Sequence, residues 1–122
     1  MFDNIILKQD RIKDVLYCGS LSWIEEIAFC FESGNNICIG IDSEFDEVIE
    51  RDNFIHGKKY KKLPNSNIVG SVLKEYRRVY NNKNYFDGFQ ITLYDEELNE
   101  NYMIKFNVAA SSFWIHKFVC IL

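Results

Sequence analysis

The stretch Asn81-Asn82-Lys83-Asn84-Tyr85-Phe86-Asp87-Gly88 runs directly into Phe89-Gln90-Ile91-Thr92-Leu93. Asn, Asp and Gly dominate the first eight residues, and these residue types form tight turns because they tolerate a left-handed backbone or bond to their own main chain. In the next five residues apolar and polar side chains alternate, as in a strand with one buried face. The segment therefore predicts a turn that leads into a strand. Its structural residues are Asn81, Asn84, Tyr85, Asp87 and Gly88. In this interpretation Asp87 accepts backbone N–H bonds of the turn and Tyr85 packs its ring over the sheet.

Two more strands are predicted downstream of this turn. One contains alternating Tyr102, Ile104, Phe106 and Val108, and the other contains Phe113, Ile115, Val119 and Ile121. An acidic turn, 95–101, and a bend of small residues, 109–112, separate the three strands. Consecutive strands with short connections are typical of an antiparallel meander.

Upstream, the clearest signal is a β-hairpin. Trp23, Ile27, Phe29 and Phe31 are predicted to share one face of a strand, and Ser33-Gly34-Asn35-Asn36 forms the turn. Ile37, Ile39 and Ile41 then alternate on the second strand. A strand is also predicted near 11–18. The acidic stretch 42–50 is compatible with an edge strand or with a helical turn capped by Ser43.

Two segments leave more room for alternatives. Residues 52–67 contain the only proline of the chain among polar turn formers, and they are predicted to form the longest loop. In 68–80, the spacing of Val69, Val72, Leu73, Tyr76 and Tyr80 fits an amphipathic helix slightly better than a strand. Both alternatives remain open for this segment.

Together these patterns predict a single domain over 1–122 of the α+β class. We expect mainly antiparallel sheet, built as a meander of about six to seven strands with at most one or two short helices. A chain of 122 residues with 48% hydrophobic residues is large and apolar enough to bury a core without metal or disulfide support.

Charge is unevenly distributed along the chain. The formal net charge is −4, but residues 1–55 carry 4 basic and 12 acidic residues, whereas residues 56–83 carry 8 basic and 1 acidic residue. A basic middle between acidic arms predicts surfaces of opposite sign, which can steer a charged partner.

Catalytic, metal and membrane motifs are not recognisable. The four cysteines, Cys18, Cys30, Cys38 and Cys120, form no C-x-x-C pair, and no histidine lies near enough in sequence to suggest a zinc knuckle. The acidic stretch 42–50 lacks the glycine and ligand rhythm of a calcium loop. No G-x-S-x-G surrounds Ser111 and Ser112. We therefore expect no enzyme activity, no metal and no cofactor, and we expect a reduced, cytoplasmic protein that neither enters the membrane nor carries a signal peptide.

The run Asn81 to Leu93, with the segment 104–112 behind it, resembles a bacterial family of small single-domain proteins, domain of unknown function 6334. Asn81, Tyr85 and Asp87 occupy the matching positions of the family motif, and Asn84 stands where the family usually has glycine. The family usually has a strand before this motif, which favours a strand in 70–80. Small proteins of this appearance are often encoded among bacterial toxin–immunity loci.

The resemblance and the charge layout imply an immunity-type protein that neutralises a cognate, basic toxin domain by direct contact. The expected partner-binding residues are acidic side chains with adjacent aromatic anchors: Asp42, Glu44, Phe45, Asp46, Glu47, Tyr94, Asp95, Glu96 and Glu97. The alternative is a small-ligand or nucleic-acid binding module that uses the basic loop Lys58, Lys59, Tyr60, Lys61 and Lys62. Nucleic acid is the less favoured partner because the chain as a whole is acidic.

Overall fold

The computed structural model describes residues 2–64 and 68–120, and only the backbone of 117–120. Within these residues the elements are α1 (Asp3–Leu7), β1 (Ile12–Ser20), β2 (Trp23–Phe31), β3 (Asn36–Asp42), β4 (Glu47–Arg51), β5 (Lys61–Lys62), β6 (Val72–Tyr80), β7 (Phe86–Asp95), β8 (Glu100–Ala109) and β9 (Ser112–Cys120). The mainly antiparallel architecture is confirmed. The described residues form nine strands, more than the six to seven predicted, and the α+β label overstates a helical content of one five-residue helix.

The sheet consists of two halves that are joined at their margins. In the first half β2 lies between β1 and β3, with β4 beyond β3, and in the second half β6 to β9 follow one another. β2 meets β9 at the pair Ile24 and Phe113, and an isolated bridge joins Arg11 to Val72. Because both margins are joined, the sheet curls into a half-barrel around one core.

Three phenylalanines mark the centre of this core. The rings of Phe89 and Phe106 are stacked with centroids 4.4 Å apart, and Phe29 of the first half meets both edge-on at 6.3 and 6.2 Å. Such aromatic pairs add to the free energy gained from burial alone. At the end of the core, Phe2 beside α1 stacks on Tyr76 with centroids 3.9 Å apart.

The predicted meander and hairpin are both confirmed. β7, β8 and β9 pair in sequence, and β2 pairs with β3 across the predicted turn. The strand near 11–18 is confirmed as β1, and the acidic stretch ends in an edge strand, β4. The predicted loop contains the two-residue strand β5, while residues 65–67 of that loop and Ile121 of the last predicted strand lie outside the described residues.

Residues 72–80 form a strand, so the slight preference for a helix was wrong. The register steps from Leu73 opposite Leu93 to Glu75 opposite Thr92, which makes Lys74 an extra residue in β6. This bulge separates the inward-facing Leu73 and Tyr76 by three positions instead of two. A spacing of three is the spacing of a helical face, and this explains why the periodicity was misleading.

A second bulge reverses the predicted orientation of Trp23. The register steps from Cys18 opposite Glu26 to Gly19 opposite Ile24, so Glu25 is the extra residue. Gly19 has a φ of +98°, and a Cβ there would lie 2.3 Å from the Trp23 carbonyl oxygen. As a result Ile24 joins Ile27 in the core and Trp23 faces solvent.

Candidate functional site

The turn 81–85 is closed by the side chain of Asn81. Its Oδ1 accepts hydrogen bonds from the backbone N–H of Lys83 at 2.8 Å and of Tyr85 at 3.1 Å. The Asn84 backbone has a φ of +64°, which confirms the predicted left-handed residue. The turn therefore obtains its geometry from two asparagines.

The interpretations of Asp87 and Tyr85 were wrong in detail. Asn81, not Asp87, accepts the N–H bonds of the turn, and Asp87 is the extra residue of a bulge between the pairs Val79–Gly88 and Tyr80–Phe86. The Tyr85 side chain is 46% exposed instead of packed on the sheet. Local turn chemistry was correctly recognised, but the roles of the individual side chains were not.

The first acidic segment, Asp42 to Glu47, forms the turn between β3 and β4. Asp42 Oδ1 accepts a hydrogen bond from the Glu44 N–H at 3.1 Å, and Glu47 Oε1 accepts one from the Phe86 N–H at 3.2 Å. Asp46 Oδ1 accepts a hydrogen bond from the Ser111 hydroxyl at 2.9 Å. The bonds of Glu47 and Asp46 attach the acidic turn to the second half of the sheet.

The attachment creates an open cleft of about 560 Å³. We call it the three-turn cleft, because it joins the β3–β4 and β6–β7 turns to Val108 beside the β8–β9 turn. The lining residues are Phe45, Asp46, Asn81, Asn82, Lys83, Tyr85, Asp87 and Val108. Two exposed aromatic rings and two carboxylates thus face one concave surface, with Lys83 as the one cation of this lining.

The second acidic segment lies at the other end of β7. Asp95 Oδ1 accepts hydrogen bonds from the N–H groups of Glu97 and Leu98, and Glu96 forms an ion pair with Arg11. The Tyr94 hydroxyl donates to Asn99 Oδ1. Ten residues of β7 separate this turn from the three-turn cleft by roughly 30 Å. The two predicted acidic segments therefore do not form one surface.

The basic loop packs along the first half of the sheet. Lys58 Nζ is 3.9 Å from Glu26 Oε1, Lys62 Nζ is 3.7 Å from Asp14 Oδ1, and Lys61 Nζ lies 5.9 Å from the Tyr17 ring centroid. Tyr60 is half-buried, and its ring packs edge-on against Phe54. Three of the four lysines thus interact with groups of this chain, while Lys59 is exposed.

Beneath this loop lies a buried carboxylate that sequence analysis missed. Glu26 is 0% exposed, and it accepts hydrogen bonds from Arg51 Nη1 at 2.7 Å and from the Tyr60 hydroxyl. A Cβ on Gly40 would lie 3.0 Å from both Arg51 Nη1 and Glu26 Oε1. Glycine therefore leaves room for this ion pair across β3. The single signal in the sequence was a pair of glutamates, Glu25 and Glu26, in an otherwise apolar strand.

The Cys38 thiol and the Tyr60 hydroxyl beside Glu26 are held in their neutral forms. Burial, followed by the charge of Glu26, raises the pKa of the Cys38 thiol to about 12. Burial, followed by the hydrogen bond to Glu26, raises the pKa of Tyr60 above its usual range. A thiol with a raised pKa is a poor nucleophile at neutral pH. The arrangement suits attachment of the 52–62 loop to the sheet better than chemistry on a substrate.

Within the described residues, no group of three or more His, Cys, Asp and Glu side chains is arranged to hold a metal ion. The described part of the chain also contains no helix that is long and apolar enough to cross a membrane.

A model of a family of unknown function, DUF6334, matches residues 1–121. The chain belongs to this family. The match extends the DUF6334 resemblance seen in 81–93 and 104–112 to nearly the whole chain, and it includes both the turn 81–85 and the acidic turn 42–47. No curated protein and no solved structure matches the chain.

Proposed function

We propose that this member of DUF6334 is an immunity-type protein that binds a cognate toxin domain through the three-turn cleft and neutralises it without catalysis. The supporting observation is that the tertiary fold places Phe45 and Asp46 of the acidic turn beside Tyr85 and Asp87 of the family motif. These residues are separated by about forty positions in sequence, and the fold assembles them into one solvent-open surface.

The chemistry of the cleft suits a basic protein surface. Phe45 is 58% and Tyr85 46% exposed, and exposed aromatic side chains are the commonest anchors of protein interfaces. The carboxylates of Asp46 and Asp87, with exposed Glu44 in the same turn, provide negative charge around the rings. Carboxylates at the rim of an interface raise the association rate with a cationic partner more than they raise affinity.

The basic loop supports a nucleic-acid or small-ligand function less well. Tyr60 donates its hydroxyl proton to Glu26 and packs against Phe54, so its ring is unsuited to stack on a base. Lys58, Lys61 and Lys62 already contact groups of this chain. For that reason we place the partner at the cleft.

The test is binding to the C-terminal domain of a large secreted toxin encoded directly upstream of this chain. We expect a complex at micromolar concentration and rescue of cells that express the toxin domain. Phe45→Ala and Tyr85→Ala should each raise the dissociation constant at least about 10-fold. Glu44→Gln should lower the association rate at low salt with a smaller effect on dissociation.

The opposite acidic turn supplies matched controls. Leu98 is 66% exposed and Glu97 is an exposed carboxylate. Leu98→Ala therefore removes an exposed apolar side chain and Glu97→Gln removes an exposed negative charge, both away from the cleft. These variants should bind like the wild type. Absence of such a neighbouring toxin gene, absence of a complex, or an equal loss of binding in the controls would overturn the proposal.

A further inference from the structure

A second exposed surface lies where β2 meets β9. The pair Ile24–Phe113 points into the core, which places Trp23 and Trp114 opposite each other on the outer face. With Leu21 they form the surface that we call the tryptophan patch, and Ile115, which pairs with the buried Phe106 and so lies on the inner face of β9, lines the groove beside it. The patch borders a groove of about 380 Å³ lined by Leu21, Ser22, Ile24, Phe113, Trp114 and Ile115.

The tryptophan patch is a continuous apolar surface. Its exposed fractions are 47% for Trp23, 56% for Trp114 and 57% for Leu21. They correspond to about one whole tryptophan and half of an aliphatic side chain, on the order of 300 Å². This is comparable to the largest apolar patch on a typical monomer, and such patches are often functional.

The Trp114 ring is held in place although it is exposed. Its indole N–H donates to the Ala109 carbonyl oxygen at 3.3 Å, so its polar atom is satisfied within the chain. The part of the ring that faces solvent is therefore apolar and preorganised. A preorganised ring loses little conformational entropy when another surface covers it.

Charge and area indicate which partner covers the patch. None of the six groove residues is charged, although the chain carries a net charge of −4. Two copies can therefore meet at this surface without bringing carboxylates of the groove together. Burying the patch on both copies removes on the order of 600 Å² of apolar surface, which suits the core of a standard interface of about 1,200–2,000 Å².

The edge of β9 extends the same surface. Among the described residues β9 pairs with β2 only at Phe113, and no described strand covers its outer edge after that residue. An uncovered strand edge favours pairing with another strand. In a two-fold dimer each copy would present the same edge and the same patch to its partner.

We propose that the tryptophan patch and the adjacent edge of β9 form the interface of a homodimer. The dimer does not rest on the proposed toxin binding, because the patch and the three-turn cleft have no lining residue in common.

Sedimentation velocity from about 1 to 100 µM tests the dimer without any ligand. We expect the wild-type protein to approach twice the mass of one chain as its concentration rises. Trp114→Lys should raise the dimer dissociation constant at least about 30-fold. Leu21→Lys, in an exposed turn, is a second variant in case the strand substitution impairs folding, and circular dichroism checks both folds.

Phe45→Lys is the matched control, since it places the same charge on an equally exposed aromatic position outside the patch. This variant should dimerise like the wild type. Both tryptophans of the chain lie in the patch, so quenching of their fluorescence by acrylamide should decrease as the dimer forms. A wild-type protein that stays monomeric at about 100 µM, folded lysine variants that still dimerise, or a control that dissociates equally would overturn the proposal.

Discussion

Replacing Arg51 by methionine tests whether the buried ion pair attaches the 52–62 loop to the sheet. Arg51 Nη1 is 2.7 Å from Glu26 Oε1, and the Glu26 side chain is 0% exposed, while that of Arg51 is 34% exposed. Methionine keeps much of the apolar contact of the arginine stem but removes the charge. The variant therefore leaves Glu26 desolvated and without its main cationic partner.

The expected loss of stability is about 3 kcal/mol. Breaking a buried ion pair from one side typically costs 3–5 kcal/mol, because the remaining charge stays buried. The lower limit applies here because Lys58 Nζ lies 3.9 Å from the same carboxylate and the Tyr60 hydroxyl still donates to it. For a domain of this size, that loss lowers the melting temperature by roughly 12 °C.

Urea denaturation at pH 7, followed by circular dichroism, measures the change. Glu26→Gln and the double variant complete a thermodynamic cycle. The double variant should lose less stability than the two single losses added together, by about 1.5–3 kcal/mol, because removing both partners leaves no buried unpaired charge. Lys62→Met is the control, since its 81% exposed side chain forms an ion pair with Asp14 at the surface and should change stability by less than about 1 kcal/mol. A loss below about 1 kcal/mol for Arg51→Met, or strict additivity in the cycle, would refute the reasoning.

Three further predictions concern alkaline pH, the motif turn and the thiols. The folded state raises the pKa of Tyr60 and Tyr76, chiefly by burial. The stability that this provides is fully present below about pH 10. Above that pH the free energy of unfolding falls by up to about 1.4 kcal/mol per pH unit and tyrosine. Tyr→Phe variants at both positions should therefore flatten the fall in unfolding free energy above pH 10, and an unchanged slope would contradict the burial argument. Asn84→Ala should cost about 1 kcal/mol in urea denaturation whereas Asn84→Gly should cost nothing or stabilise, since the residue has a φ of +64°; equal stabilities would show that this backbone is not required. In variants that retain one thiol each, Ellman's reagent at pH 8 should modify the half-buried Cys30 faster than the buried Cys38, whose pKa is raised to about 12, and the reverse order would refute the assigned environments.

Alternation and turn chemistry were sufficient to predict the regular parts of the sheet. The hairpin β2–β3 and the meander β7–β9 follow from a period of two between segments rich in Asn, Asp and Gly. Both are local signals, since each strand pairs with its neighbour in sequence. The left-handed Asn84 was predictable for the same reason.

Errors occurred where one extra residue changed the period. The bulges at Lys74, Glu25 and Asp87 reversed the predicted orientation of nearby side chains. A bulge is stabilised by partner strands and by close approaches such as Gly19 to the Trp23 carbonyl, and none of these contacts is visible in a single strand. The helical spacing of 68–80 and the expected burial of Trp23 both failed for this reason.

The sequence by itself determined the strand order of the meander, the family turn and the uneven charge. Only the tertiary structure decided which of these elements share a surface. It placed Phe45 and Asp46 beside Tyr85 and Asp87, left the turn at Asp95 roughly 30 Å away, and used three lysines of the basic loop within the chain. Local propensity acts over a few residues, whereas the cleft, the buried Glu26 and the tryptophan patch depend on how two half-sheets curl around one core.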